Sequence, residues 1–198
     1  MDDRKTSLTL SSEALARRAK AGAFAYGVLA VLVILSTSYR EGRGRRAFVV
    51  GVLAWTIGAL RGWISWRFEP WFRERPRAWL VAFRGTALVA SAAWGIAASV
   101  ALSRGLDANA VVVLVTTAGI AAGAMSSLAP DRALHGAYTV AMLGPVIVAC
   151  AVGGTAQSVG TALATATYLA YLLAVGVPDG KLYIVDMVES RVLRIDPK

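Results

Sequence analysis

The long apolar runs of this chain contain no aspartate or glutamate, and its 198 residues hold one histidine and one cysteine. Without paired carboxylates inside those runs there is no acid/base pair for catalysis and no proton relay for ion-coupled transport. One cysteine excludes a disulfide framework and a Cys-x-x-Cys metal or redox pair; Cys150 lies in an apolar run and reads as a small buried hydrophobe. His135 has no cysteine or carboxylate cluster around it, so neither a metal site nor a cofactor is expected, and its place beside Asp131-Arg132 suggests an interface position. No Walker phosphate loop, zinc-binding HExxH helix or nucleophile elbow occurs. The expectation is that the chain is not an enzyme.

What is present is apolar residue in bulk. The composition is 57% hydrophobic and 17% charged, against about 45–50% and 25% for soluble domains. Apolar residues fill whole segments, with the charges between them, so the natural solvent is lipid. The net charge of +9 suggests nucleic acid only when it forms a basic face on a folded domain. Here Lys and Arg sit in short interhelical stretches, and no nucleic-acid partner is expected.

The pattern predicts an all-α membrane protein, a six-transmembrane-helix bundle with a short C-terminal β-hairpin-like tail. Residues 1–21 read as a basic cytoplasmic segment in which Ser11 and Ser12 are candidate N-caps of a short surface helix. Residues 22–177 read as the membrane domain, with spans at about 22–39, 47–66, 79–102, 109–129, 135–152 and 155–177. Each is close to the roughly 20 residues that cross a 30 Å hydrocarbon core. Gly153-Gly154 divides the last two, since an unbroken 40-residue helix does not fit a bilayer. Residues 178–198 form the tail, where Pro178-Asp179-Gly180 precedes a β-prone run and Arg191 to Ile195 gives a second.

With both termini in the cytoplasm, the inner segments carry 14 Lys and Arg residues and the outer ones five. The positive-inside rule therefore favours this orientation in a bacterial inner membrane, although Arg40, Arg43, Arg45 and Arg46 crowd the first outer loop.

Several residues stand out as candidate contacts. Arg61 and Arg84 are the only charges within spans; both lie near one cytoplasmic loop, so each can snorkel to the headgroups. Trp63, Trp66, Phe68, Trp71, Phe72 and Trp79 surround that loop among arginines, as an aromatic belt does, and such a loop suits anionic lipid. Gly58 with Gly62, and Gly119 with Gly123, are GxxxG pairs fit for helix packing within the chain or at a homodimer face. Gln157, Thr161 and Thr165, with Ser158 and Tyr168 beside them, make one face of the last span polar. That face should turn inward to line a ligand pocket or to hydrogen-bond neighbouring helices. Pro145 should kink the fifth span near Ala141 and is a candidate hinge.

Ala90-Ser-Ala-Ala-Trp94-Gly95, Ala118-Gly119-Ile-Ala-Ala-Gly123-Ala124 running to Leu128-Ala-Pro130, and Pro145, with the spacing of the spans, cover residues 22–176. This stretch resembles the N-terminal membrane sensor modules of bacterial diguanylate cyclases and sensor histidine kinases. The resemblance implies an input or anchor module that regulates a cytoplasmic signalling output domain, working by helix rearrangement or dimer contacts. The chain departs from the pattern after the last span, where there is neither a Gly-Gly-Asp-Glu-Phe signature nor a phosphoacceptor histidine. The tail, with its Asp179-Gly180 turn, Tyr183 strand and Arg191-Val192 strand, resembles a single NHL-type β-propeller repeat; one repeat cannot close a propeller. Two other readings stand beside the sensor: a small solute transporter or channel, and a truncated or fused fragment of a larger membrane signalling protein.

Overall fold

The computed structural model describes residues 12–20, 22, 26–29, 31, 33, 44–103, 105, 107–175, 182–186 and 191–195, with backbone alone for 44–54 and for the last two stretches. Residues 12–20, 22, 26–29, 31 and 33 are helical. Then follow α1 (Gly44–Trp66), the seven-residue α2 (Phe68–Glu74), α3 (Pro76–Leu102), α4 (Ala108–Leu128), α5 (Arg132–Val152) and α6 (Ala156–Val175). Strands β1 (Leu182–Asp186) and β2 (Arg191–Ile195) pair antiparallel, with Leu182 opposite Ile195.

Among the described residues, α3, α4, α5 and α6 are long and apolar enough to cross a membrane. At 1.5 Å per residue, 20 residues reach about 30 Å. Their outward faces carry Val81, Val115, Val148 and Leu163, each at least 62% exposed. Water would penalise such a coat at about 25 cal/mol per Å², whereas lipid does not. The predicted span at 22–39 lies for the most part outside the described residues; α1 is helical where the second span is predicted but is not among the helices apolar enough to cross, so four of the six predicted spans are found among the described residues.

Local chemistry sets the helix ends. Pro76 opens α3, where its missing N–H costs nothing. Asp107 caps α4 by accepting from the Ala110 amide at 2.8 Å, and Asp131 caps α5 through the Leu134 amide at 3.0 Å. At the start of α6 the Ser158 amide donates to Thr155 Oγ1 and the Thr155 amide to Ser158 Oγ, each at 3.1 Å, a reciprocal cap. Gly154, at φ +69°, makes the left-handed turn that separates α5 from α6.

α3 and α5 share the most extensive contact; α1 and α4 pack on α3, and α6 leans on α5. The buried stripe of α3 is Trp79, Phe83, Ala87, Ala90, Ser91, Trp94, Gly95, Ala98 and Leu102, which follows the 3.6-residue period. The glycine that permits this contact is Gly95. A Cβ there would meet the carbonyl oxygen of Met142 and lie 2.8 Å from that of Ala141. α5 runs through Pro145 as one helix, and proline has no N–H to give the Ala141 carbonyl four residues earlier. Gly95 thus brings α3 against the part of α5 whose hydrogen bonding proline interrupts. The N-terminal helical stretch is not a free surface helix: Leu15, Ala16 and Ala19 are buried, and the Arg18 guanidinium donates to the Ser126 carbonyl of α4 at 3.3 Å.

Candidate functional site

Arg61 does not snorkel. It is 4% exposed, and its guanidinium carbon lies 5.8 Å from the centre of the Tyr138 ring. A desolvated cation–π contact of this kind is worth about 2 kcal/mol. The Arg61 Nε is buried with no hydrogen-bond partner among the described residues. The side chain borders a chamber of about 100 Å³, lined also by Gly22, Tyr26, Gly119, Gly123, Ser127 and Tyr138. Hydrogen bonds stiffen its walls: Tyr26 donates to the Ala90 carbonyl at 3.1 Å, and Trp94, in edge contact with the Tyr26 ring, donates to Thr117 Oγ1 at 2.9 Å.

Arg84 behaves differently. Arg84 is half-exposed, and its Nε donates to Asp131 Oδ2 at 2.8 Å. The carboxylate missing from the spans is therefore supplied by the α4–α5 turn, and Asp131 serves as helix cap and counterion together.

The aromatic group divides. Trp63 and Trp66 are 51% and 80% exposed, and Trp63 leans on the partly buried Trp71 at 6.1 Å, as headgroup-level residues would. Trp79 instead is fully buried, stacks on Phe83 at 5.0 Å, is met edge-on by Phe68, and donates Nε1–H to the Ile64 carbonyl at 3.0 Å. It fastens α2 and α3 to α1.

The GxxxG pair on α4 is not a close helix contact among the described residues. A Cβ at Gly119 or Gly123 meets nothing within 4 Å, because both glycines open onto the Arg61 chamber. Gly58 is buried and Gly62 half-buried in α1.

The polar row of α6 lines a second, wider groove of about 520 Å³ between α4, α5 and α6. Gln157, Thr161, Thr165 and Tyr168 form one wall, facing Leu114, Thr117 and Ala118 of α4. The threonines do not bond to neighbouring helices: Thr161 donates to the Gln157 carbonyl and Thr165 to the Thr161 carbonyl, inside α6 itself. Among the described residues only the Tyr168 hydroxyl crosses the groove, donating to the Ala118 carbonyl at 2.9 Å. α6 is the least buried of the four apolar helices, with Ala162 and Leu172 its buried residues among those described. His135 is also internal, 4% exposed, with Nε2 3.5 Å from the Leu172 carbonyl and Nδ1 without a partner among the described residues.

No protein family, curated protein or solved structure matches this chain. The chemistry of the site therefore has to be read from its own residues. Among the described residues no group of three His, Cys, Asp or Glu could hold a metal ion. Sequence reasoning did not single out Tyr26 and Tyr138 around Arg61, and it named Asp131 only as a neighbour of His135 and Gly95 only within a small-residue run. Of these only Asp131 carried a readable signal, as an Asp three residues before a helical amide.

Proposed function

We propose that this chain is the membrane-embedded input or anchor module of a bacterial inner-membrane signalling protein, with six crossings, both termini in the cytoplasm and no catalysis of its own. The observation that carries this reading is the state of α6. It is the least buried of the four apolar helices, it presents a polar row to an open groove, and it is the element from which the chain leaves toward its C-terminal tail. A ligand or lipid that prefers one groove width shifts α6, and only such a differential preference transmits a signal. The hairpin tail would hand that shift to a cytoplasmic output partner. The exposed Trp63 and Trp66, with Trp71, Arg73, Arg75 and Arg77 near them, suit anionic lipid at the headgroup level. A homodimer is the natural unit for a module that works by helix rearrangement.

The test is to join a dimerisation-dependent reporter kinase after residue 177 and vary the groove. Thr161→Trp, which fills it, should change reporter output severalfold at unchanged protein level. Output that ignores every groove-filling substitution sinks the input reading. The same polar groove favours a second reading, a small solute transporter or channel. That reading requires flux into liposomes which is lost when Gln157 and Thr161 are replaced by alanine. A fragment of a larger signalling protein is recognised instead from the reading frame beyond residue 198.

A further inference from the structure

We propose that the chamber around Arg61 is a binding site for a small oxyanion, a carboxylate or phosphate group, held by the guanidinium inside the membrane domain. The site is independent of what α6 does. Arg61 is 96% buried by its 4% exposure, and its Nε–H has no acceptor among the described residues. Arginine stays protonated in proteins, so the charge cannot be relieved by losing a proton. No carboxylate stands among the residues lining the chamber. Tyr138 offers only its ring face and hydroxyl, which soften the charge without neutralising it.

The space decides what can complete the site. A single water needs about 10–15 Å³, so the chamber of about 100 Å³ has room for a small anion and is too small for a nucleotide or sugar phosphate. The planar fork of the guanidinium favours two parallel bonds to the two oxygens of a carboxylate or phosphate. Two other hydroxyls are committed elsewhere, Tyr26 to the Ala90 carbonyl and Ser127 to the Gly123 carbonyl; the Tyr138 hydroxyl accepts a hydrogen bond from Arg61 and keeps its own proton as the second donor. Gly119 and Gly123 matter because they have no side chains: the open space above each is the chamber itself. The oxyanion could be free in solution or be the phosphodiester of a lipid headgroup entering from the bilayer.

The experiment follows thermal unfolding of the full chain by tryptophan fluorescence in dodecyl maltoside micelles, which bring no phosphate group to the site. Sodium acetate or phosphate replaces gluconate, an anion too large for the chamber, at constant ionic strength. The expected result is a saturable rise in Tm of about 2–4 °C, absent in Arg61→Gln. A parallel set of micelles doped with phosphatidylglycerol, whose phosphodiester is then the only one present, distinguishes the sources. A rise there without a response to free anion assigns the site to the lipid phosphodiester; a response to free anion assigns it to a soluble ligand. If Arg61→Gln fails to fold, Gly123→Leu replaces it: its new side chain enters the empty chamber, so the variant should keep the ligand-free Tm and lose the response. No rise with either anion source, or an equal rise in Arg61→Gln or Gly123→Leu, overturns the proposal.

Discussion

Two glycines in similar small-residue surroundings do opposite work. At Gly95 a side chain would run into the α5 backbone, whereas at Gly119 it would enter open space. Gly95→Val should therefore destabilise the protein by about 1–3 kcal/mol, the usual range for overpacking a close contact. Gly119→Ala should stay within about 0.5 kcal/mol of the parent. Equilibrium unfolding in mixed micelles checks both, and equal effects would mean that the α3–α5 contact is looser than its geometry. Arg61 and Arg84 make the same point about charge. Arg84→Gln removes an ion pair whose arginine is half-exposed and should cost at most about 1 kcal/mol. Asp131→Ala also removes the cap on the Leu134 amide, which adds about 1 kcal/mol. The prediction is that Asp131→Ala is clearly the worse variant and that Asp131→Asn, which keeps a capping oxygen, falls between them.

The helices themselves were legible because what limits them is local. Charge-free apolar runs separated by Asp107, Asp131 and Gly153-Gly154 give α4, α5 and α6 with ends shifted by only a few residues. What could not be read was which side of each helix faces inward. A span apolar on every side carries no stripe pointing to the core, so Gly95 could not be told from Gly119, nor Trp79 from Trp66, nor a buried Arg61 from a snorkelling one. Those distinctions arise from how α1, α3 and α5 meet. The polar row of α6 was visible, but its destination was not: its hydroxyls satisfy their own helix, and Tyr168 alone ties α6 to α4. Tyr168→Phe should cost only about 0.6 kcal/mol, the average for hydrogen bonds between membrane helices, yet it removes the strut across the groove. Spin labels at Val115 and Ala164 should report a longer or broader distance in the variant. An unchanged distribution would show that packing on α5 alone holds α6 in place.

At the scale of the whole chain the open quantity is the number of crossings, and the charges divide it into two separate problems. α3 to α6 are four helices, so the stretch before α3 and the stretch after α6 fall on the same side whatever precedes them. That side, together with the α4–α5 turn, carries Arg67, Arg73, Arg75, Arg77, Arg132, Lys181, Arg191, Arg194 and Lys198, against Arg104 alone opposite. The ion pair from Arg84, two turns into α3, to Asp131 in the α4–α5 turn places those two ends together. For these four helices the positive-inside rule is met almost without exception. The whole violation lies in Arg40, Arg43, Arg45 and Arg46, ahead of and within the first turn of α1. Reporter fusions after residues 72, 132 and 198 should accordingly read cytoplasmic, and those after 105 and 154 periplasmic. The fusion after residue 42 then decides the first pair on its own. A periplasmic reading gives six crossings and leaves the four arginines as a tolerated outer cluster. A cytoplasmic reading leaves the segment ahead of α1 on the inner side, removing the violation, and the six-crossing proposal with it. A periplasmic reading at residue 198 would break the parity of α3 to α6, and the input-module reading would fall because the tail could no longer reach a cytoplasmic partner.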